Sequence, residues 1–355
     1  MKLFQYPGYN KTASLLLEWK EEKPWMYEIH SQVLQQALKD LDKAYKGFFA
    51  GRAEHPTPKQ KGKCQDSFRY PQGFKIEEGN SRIYLPKIGW VRYRNSRPLA
   101  GTAKNITISR RGDKWFASIQ AEFEIAEPFH PSTSQVGIDL GVVRFATTSN
   151  GDYVDPLNAL KKHEAWLRRY QRSMARKRKY SKSWKKAKAK VTKQYEAVGN
   201  ARKDFLHKLT TEQANTHSLV CIEDLKVSNM SRSASGTLEK PGRNVKQKSG
   251  LNKAILDQGW AEYRRQLEYK LRWAGGRVIA VPAMSTSRTC PCCRHVSKDN
   301  RKTQANFVCV ECGYAANADY VATLNILAAG LAVIACGGVL EARGPMKQEP
   351  TKIAA

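Results

Sequence analysis

The sequence predicts an α/β architecture: a core of apolar strands joined by long helices, preceded by an N-terminal helix and an antiparallel β-barrel part, and interrupted late in the chain by a small cysteine module. Three observations predict it. Apolar runs at 136–140, 219–222 and 277–281 read as buried strands and alternate with segments of helical period. Short β-rich runs between 68 and 125 are separated by Gly, Pro and Asn turns. Four of the eight cysteines fall in two C-x2-C pairs.

Along the chain, Trp25, Ile29, Val33, Leu34, Leu38, Leu41, Tyr45 and Phe48 recur at helical spacing and predict one amphipathic helix over 24–49. A Pro- and Lys-rich loop follows at 55–62. The runs 82–85, 90–93, 105–108 and 115–123 predict strands of a small barrel or sheet. Here Arg92, Arg94, Arg97, Arg110, Arg111 and Lys114 are interspersed with Tyr93 and Trp115. A solvated strand face accounts for this as well as a surface that grips a nucleic-acid backbone while its rings stack on bases. Together these elements form an N-terminal recognition region, 1–130.

A second region, 131–284, opens with a strand and hairpin and is interrupted by a helical insertion at 157–217. Within it, residues 161–203 carry 17 basic and 2 acidic side chains. Like charges one turn apart destabilise a helix, so phosphates are expected to neutralise this run. Trp166, Tyr170, Tyr180, Trp184 and Tyr195 lie among the charges and are expected mostly to pack the helices together. Residues 226–250 are polar and predict a mobile loop, 252–273 a helix, 277–281 a strand and 317–330 a closing helix. The remaining ranges are a cysteine module at 285–314, the closing helix region 315–335 and a flexible tail at 336–355.

The whole chain carries 61 Lys plus Arg against 32 Asp plus Glu, a net charge of +29, which calls for a polyanionic partner. No run approaches the roughly 20 apolar residues of a membrane span and the N-terminus lacks an apolar signal core, so nucleic acid is the expected partner rather than a membrane. The cysteine pattern is that of a metal site in a reducing cytoplasm, not a disulfide framework.

Three acids stand out. In Gly137-Ile-Asp-Leu-Gly, strand alternation puts Val136, Ile138 and Leu140 on one face and Gly137, Asp139 and Gly141 on the other, clearing space around Asp139. In Val220-Cys-Ile-Glu-Asp, Glu223 lies opposite Val220 and Ile222, and Asp224 points away from it. Asp319 falls in the first turn of the closing helix, where the helix dipole alone would favour it. Singly, each acid would suit a cap or a surface. In this order they match the three-acid site of an RNase H-like (RuvC) nuclease core, where two Mg²⁺ about 4 Å apart activate water and steady the leaving 3′ oxygen. Divalent ions would offset the cost of bringing carboxylates together out of water.

Cys290-Pro-Cys-Cys293 and Cys309-Val-Glu-Cys312 give C-x2-C-x15-C-x2-C, the spacing of a zinc ribbon with one structural Zn²⁺. Cys292 is a competing ligand, but the knuckle spacing favours Cys290 and Cys293. Four thiolates leave no open position for water, so this metal should stabilise rather than catalyse. Arg288, Arg294, Lys298, Arg301 and Lys302 make the ribbon basic and suited to substrate contact, although a purely stabilising ribbon would also fit.

The motif order resembles the TnpB (OrfB) family of insertion-sequence proteins, relatives of the compact type V CRISPR effectors. The resemblance runs through Leu34-Gln-Gln-Ala-Leu-Lys-Asp-Leu-Asp, Gly137-Ile-Asp-Leu-Gly, Ile222-Glu-Asp-Leu, Asp257-Gln-Gly-Trp, Thr286-Ser-Arg-Thr-Cys, Asn317-Ala-Asp, Asn325-Ile and Lys347-Gln-Glu-Pro. It implies a monomeric RNA-guided DNA endonuclease with Asp139, Glu223 and Asp319 as its catalytic, Mg²⁺-binding triad in one RuvC site that cuts both strands. It also implies a guide RNA from the transposon end, a target-adjacent motif read by the N-terminal region, and products with a 5′ phosphate and a 3′ hydroxyl. Base pairing would then carry sequence recognition while the protein holds the heteroduplex backbone. Family members begin with an additional strand and helix before the segment matching 12–41, so a truncated start is expected. The alternatives are a nuclease-silent guided regulator or a transposition accessory protein, which degraded acids would have favoured. A strand-transfer transposase is a third, disfavoured by a ribbon lying between the second and third acids.

Overall fold

The computed structural model describes residues 6–60, 64–237, 239–284, 286–336 and 351–354. The chain divides into two compact units, Met1–Ile125 with Met346–Ala355, and Ala126–Pro345.

In the first unit, α1 (Gly8–Ser14) and α2 (Leu16–Glu22) lead to a 3-10 turn, Pro24–Glu28, and then to α3 (Ser31–Phe49). Pro24 suits the first position of the turn because its φ is fixed and its missing N–H would be unpaired there anyway. Extended backbone at Ile29 and His30 follows, so the single helix expected over 24–49 is broken once. Asp42 ties α3 to α1 by accepting the Tyr9 N–H at 3.1 Å, and it pairs with Lys46 one turn along α3 at 2.7 Å.

The strands β1 (Ser67–Tyr70), β2 (Lys75–Glu77), β3 (Arg82–Leu85), β4 (Gly89–Arg92), β5 (Thr102–Arg111) and β6 (Lys114–Glu122) are antiparallel to their partners. They form two separate sheets over one core of Tyr70, Ile83, Leu85, Ile106, Ile108 and Ile119, with Val33 of α3 packed against it. No ladder closes them into a barrel among the described residues, because the short β2, β3 and β4 pair only with one another. Thr351–Ala354, expected within a flexible tail, instead pairs with β6 with Thr351 opposite Ile119. The open edge of β6 offers the ladder groups for it. The rest of that tail, 337–350 and 355, lies outside the described residues.

The second unit runs β7 (Gln135–Leu140), β8 (Ala146–Thr148), β9 (Tyr153–Val154), α4 (Ala159–Ala175), α5 (Lys182–Thr216), β10 (Leu219–Glu223), α6 (Val227–Met230), α7 (Val245–Gln258), α8 (Trp260–Trp273), β11 (Arg277–Val281), β12 (Asn306–Val308), β13 (Ala315–Asn317) and α9 (Ala318–Ala335). Its main sheet has the order β11-β10-β7-β8-β9, with β10 parallel to both neighbours and β8 and β9 antiparallel. On one face Val136, Ile138, Leu140, Val220 and Ile222 pack with Leu206 of α5 and Tyr263, Leu267 and Leu271 of α8. On the other, Cys221 and Ile279 meet Ile326 and Leu327 of α9.

Two glycines let α9 lie down on that second face. A Cβ on Gly137 would sit 2.2 Å from the Thr323 carbonyl oxygen, and one on Gly330 would sit 2.2 Å from the Cys221 sulfur. Contrary to the sequence reading, α9 is long and apolar enough to cross a membrane by length and composition. Burial against the sheet accounts for that apolarity in its first half, through Val321, Ala322 and Ile326, while Leu331, Val333 and Ile334 at its end are exposed.

Helices α4 and α5 form the basic hairpin, with Leu167, Ala187 and Val191 buried. The aromatics expected to pack there mostly stay outside: Trp166, Tyr180 and Tyr195 are exposed, and Arg169 lies over the Trp166 ring. Small aliphatic side chains fill the seam, so the rings are not needed in it. The region expected as a mobile loop at 226–250 contains α6 and the start of α7, held when Lys248 Nζ donates to the Met230 carbonyl at 2.6 Å. The helix expected over 252–273 is split at Gly259, whose φ of +76° no other residue adopts cheaply. Beside the split, buried Asp257 accepts the Leu160 N–H that opens α4 at 3.0 Å and pairs with Arg202 of α5 at 2.5 Å. The Asp257-Gln-Gly-Trp motif is therefore a joint between three helices.

Candidate active site and metal centre

Ile138 of β7 lies opposite Ile222 of β10 in a parallel ladder. The next residues along, Asp139 and Glu223, follow directly after that last paired rung on strands about 4.8 Å apart, and both project from the face that α9 covers. Thr323 of α9 touches Gly137. Four residues back along the helix is about 6 Å, and two residues forward along the strand is about 6.6 Å, so Asp319 comes level with Asp139.

The electrostatics agree with this placement. Asp139 is pushed up to about 7, first by burial and then by the negative charges of Glu223 and Asp319, with Arg301 opposing. Burial also raises Glu223, opposed by a hydrogen bond from Thr286. A carboxylate that resists ionisation because of its neighbours lacks a countercharge of its own.

Each of the other two acids has a fixed partner. Thr286 Oγ1 donates to Glu223 at 2.7 Å, and Arg301 Nη2 donates to Asp319 Oδ1 at 3.2 Å. Asn317 caps α9 by accepting the Asp319 N–H at 3.0 Å, which fixes where that side chain starts. Asn325 Nδ2 donates to the carbonyls of Thr286 and Thr289 at 2.8 and 2.7 Å, so α9 also holds the segment that carries Thr286. The three carboxylates are not all within 4.8 Å of one another; the cysteine quartet is the one group that tight among the described residues. Asp224 turns away and pairs with Arg264 at 2.5 Å.

Thr286, Arg301 and Asn325 carry no signature of their own that would assign these contacts. Their one signal was position: Thr286 and Asn325 fall in the motif segments, and Arg301 was read only as part of a basic surface. The structure turns Arg301 inward, where it also donates to the Gln304 carbonyl at 2.8 Å.

Cys290, Cys293, Cys309 and Cys312 bring their sulfurs together, with Cys290–Cys312 at 3.6 Å and Cys293–Cys309 at 3.5 Å. A tetrahedral ion with metal–sulfur bonds of about 2.3 Å needs sulfurs roughly 3.8 Å apart, so the quartet fits Zn²⁺. Cys292 is exposed and outside the quartet. The knuckle amides of Cys312 and Glu311 pull the Cys309 thiol down, while Cys293, despite the His295 amide, is pushed up by burial and by the other three sulfurs, so the quartet shares its charge unevenly. Asn300 staples the two knuckles: its Nδ2 donates to the Arg288 carbonyl at 2.9 Å and its Oδ1 accepts the Val310 N–H at 3.0 Å. The small core of this module, Cys290, Phe307 and Cys309, runs into Ala318 and Val321 at the start of α9.

The family described as "Probable transposase" (OrfB_IS605) matches residues 118–234, and the Cas12f1-like TNB domain matches 260–326. InsQ of Escherichia coli (strain K12), which is named as an RNA-guided DNA endonuclease, is 52% identical over 351 residues, covering 98% of this chain and 87% of that protein. The chain belongs to the TnpB (OrfB) family. A second relative, from Streptomyces pristinaespiralis and named in the same way, is 33% identical over 98% of this chain and 86% of its own length. The solved Cas12f1–sgRNA–target DNA complex aligns with 84% of this chain and 78% of that chain at 19% identity and a TM-score of 0.38, too loose a match to bear on the site.

Proposed function

We propose that this TnpB-family chain is an RNA-guided, Mg²⁺-dependent DNA endonuclease with a single RNase H-like (RuvC) site formed by Asp139, Glu223 and Asp319. The observation that carries the reading is the convergence of those acids from two adjacent strands and the helix laid across them, with Asp139 left short of positive charge. Their all-oxygen donor set suits a hard divalent cation. Two such ions, when bound, would activate water and stabilise the leaving oxygen of a phosphodiester.

The chain's own residues prepare that chemistry. Asp139, Glu223 and Asp319 would hold the ions together, with Asp139 central because both other acids raise its pKa. Thr286 fixes the Glu223 carboxylate. Arg301 neutralises Asp319, and with divalent ions held by the three acids its guanidinium would be available to a phosphate oxygen. The cysteine quartet would hold one structural Zn²⁺ and thereby fix the start of α9. The α4–α5 hairpin, with the charge run 161–203, would hold guide RNA and target DNA by their backbones.

The test is plasmid cleavage with a guide RNA and Mg²⁺. Asp139→Ala is expected to abolish cutting while guide and target binding persist; undiminished cutting would overturn the site.

A further inference from the structure

A cavity of about 690 Å³ lies away from the three acids, walled by α5, α7 and the loop at 231–234. Tyr195, Gly199 and Arg202 of α5 face Asn252 and Lys253 of α7 across it. Gly199 is the unexpected member. It sits within a 35-residue helix, where glycine is a poor choice, yet a Cβ there would meet nothing within 4 Å. Gly199 is exposed, and with no side chain there the mouth of the cavity stays open to solvent.

The wall indicates what the cavity would admit. Arg202 is held by Asp257 and Lys253 by Glu164, so both cations are already matched by carboxylates and the cavity suits a neutral group. Arg202 Nε and Asn252 Oδ1 are buried without hydrogen-bond partners, one a donor and the other an acceptor. Asn252 is oriented by its Nδ2, which donates to the Ser231 and Arg232 carbonyls at 3.0 Å each. The Tyr195 ring is about half exposed at the rim, and its hydroxyl accepts from Gln171 at 2.9 Å. A flat, neutral ring with a hydrogen-bond acceptor and donor on its edge matches this set. Because α5 also carries the basic run, that ring arrives on a phosphate backbone.

We infer that this cavity receives one unstacked base of the bound nucleic acid, stacked on Tyr195 and read at its edge by Arg202 and Asn252. The inference rests on the nucleic-acid reading above and adds a second, non-catalytic contact to it. It requires a small shift of the exposed loop at 231–234, whose carbonyls hold Asn252, and of the Arg202 side chain beside Gly259, to open the two buried atoms.

The test is photocrosslinking of the full chain to single-stranded oligonucleotides, 5-iodouridine RNA in one arm and 5-iodo-2′-deoxyuridine DNA in the other, with the labelled peptide mapped by mass spectrometry. Crosslinking at Tyr195 is expected in at least one arm, which identifies the strand that supplies the base. Gly199→Leu fills the cavity with a better helix former, so its melting temperature should not fall and its total oligonucleotide binding should hold. Its Tyr195 crosslink should drop by about fivefold or more, the low end of what one stacked base contributes. An undiminished crosslink in Gly199→Leu, or none at Tyr195 in the native chain while oligonucleotide is bound, overturns the pocket. Failure of both oligonucleotides to bind overturns the nucleic-acid reading and the pocket with it.

Discussion

The cysteine quartet and the three acids are the two groups we propose to hold metal, and they are built in opposite ways. The four sulfurs come from two tight knuckles within one small module and already lie within 4.8 Å of one another. The carboxylates come from β7, β10 and α9, and they do not close to that distance. Sulfurs that hydrogen-bond one another can crowd, and their positions are set by local turns. Carboxylates repel, so they are kept apart by partners of their own, Thr286 for Glu223 and Arg301 for Asp319. On the proposed reading, the acids would exchange ions and substrate, whereas the quartet would hold one structural ion throughout.

Breaking the closed site should have the larger effect on the fold. Cys309→Ser is expected to lose bound zinc and to lower stability by several kcal/mol, since binding energy in such a module is folding energy. Metal analysis and thermal denaturation check this, and full zinc retention would contradict it. Because the module's core runs into Ala318 and Val321, the same variant should also lose cutting.

The open site should behave in the reverse sense. Asp139 has a folded pKa of about 7, above its ordinary value of 3.8. The folded chain therefore holds that proton more tightly than the unfolded chain. The stability this gives is full below about pH 4 and is lost as pH rises to about 7. Without divalent ions, Asp139→Asn should match the native chain at pH 4 and exceed it at pH 8. The gain should be at most about 4 kcal/mol, reduced by the side chain's partial exposure. Adding Mg²⁺ at pH 8 should stabilise the native chain and not the variant. Denaturation at the two pH values measures both effects.

A smaller effect sharpens the contrast. Thr286→Val removes the hydrogen bond to Glu223, worth roughly 1.5–3 kcal/mol for a charged acceptor. It should move the Glu223 pKa further up and weaken Mg²⁺ activation by several fold, leaving zinc content unchanged. Magnesium titration of cleavage reads the change.

What the sequence disclosed follows from the same physics. Strand alternation and flanking glycines exposed Asp139, and cysteine spacing exposed the quartet, because both signals are local. Thr286 and Arg301 were illegible because their partners are remote in sequence and neither residue belongs to a periodic pattern. The Gly259 break was hidden inside a continuous apolar period, since only the φ of +76° reveals it. The start of α7 read as loop because its polar residues are held by tertiary contacts such as Lys248 to Met230 rather than by an apolar stripe.

The most direct measurement counts Mn²⁺, a spectroscopic stand-in for Mg²⁺, bound to the zinc-loaded protein by electron paramagnetic resonance. About two ions per chain are expected, falling to one or none in Asp139→Asn while zinc content holds. Equal Mn²⁺ binding in the native chain and the variant would contradict the claim that these three acids share divalent cations.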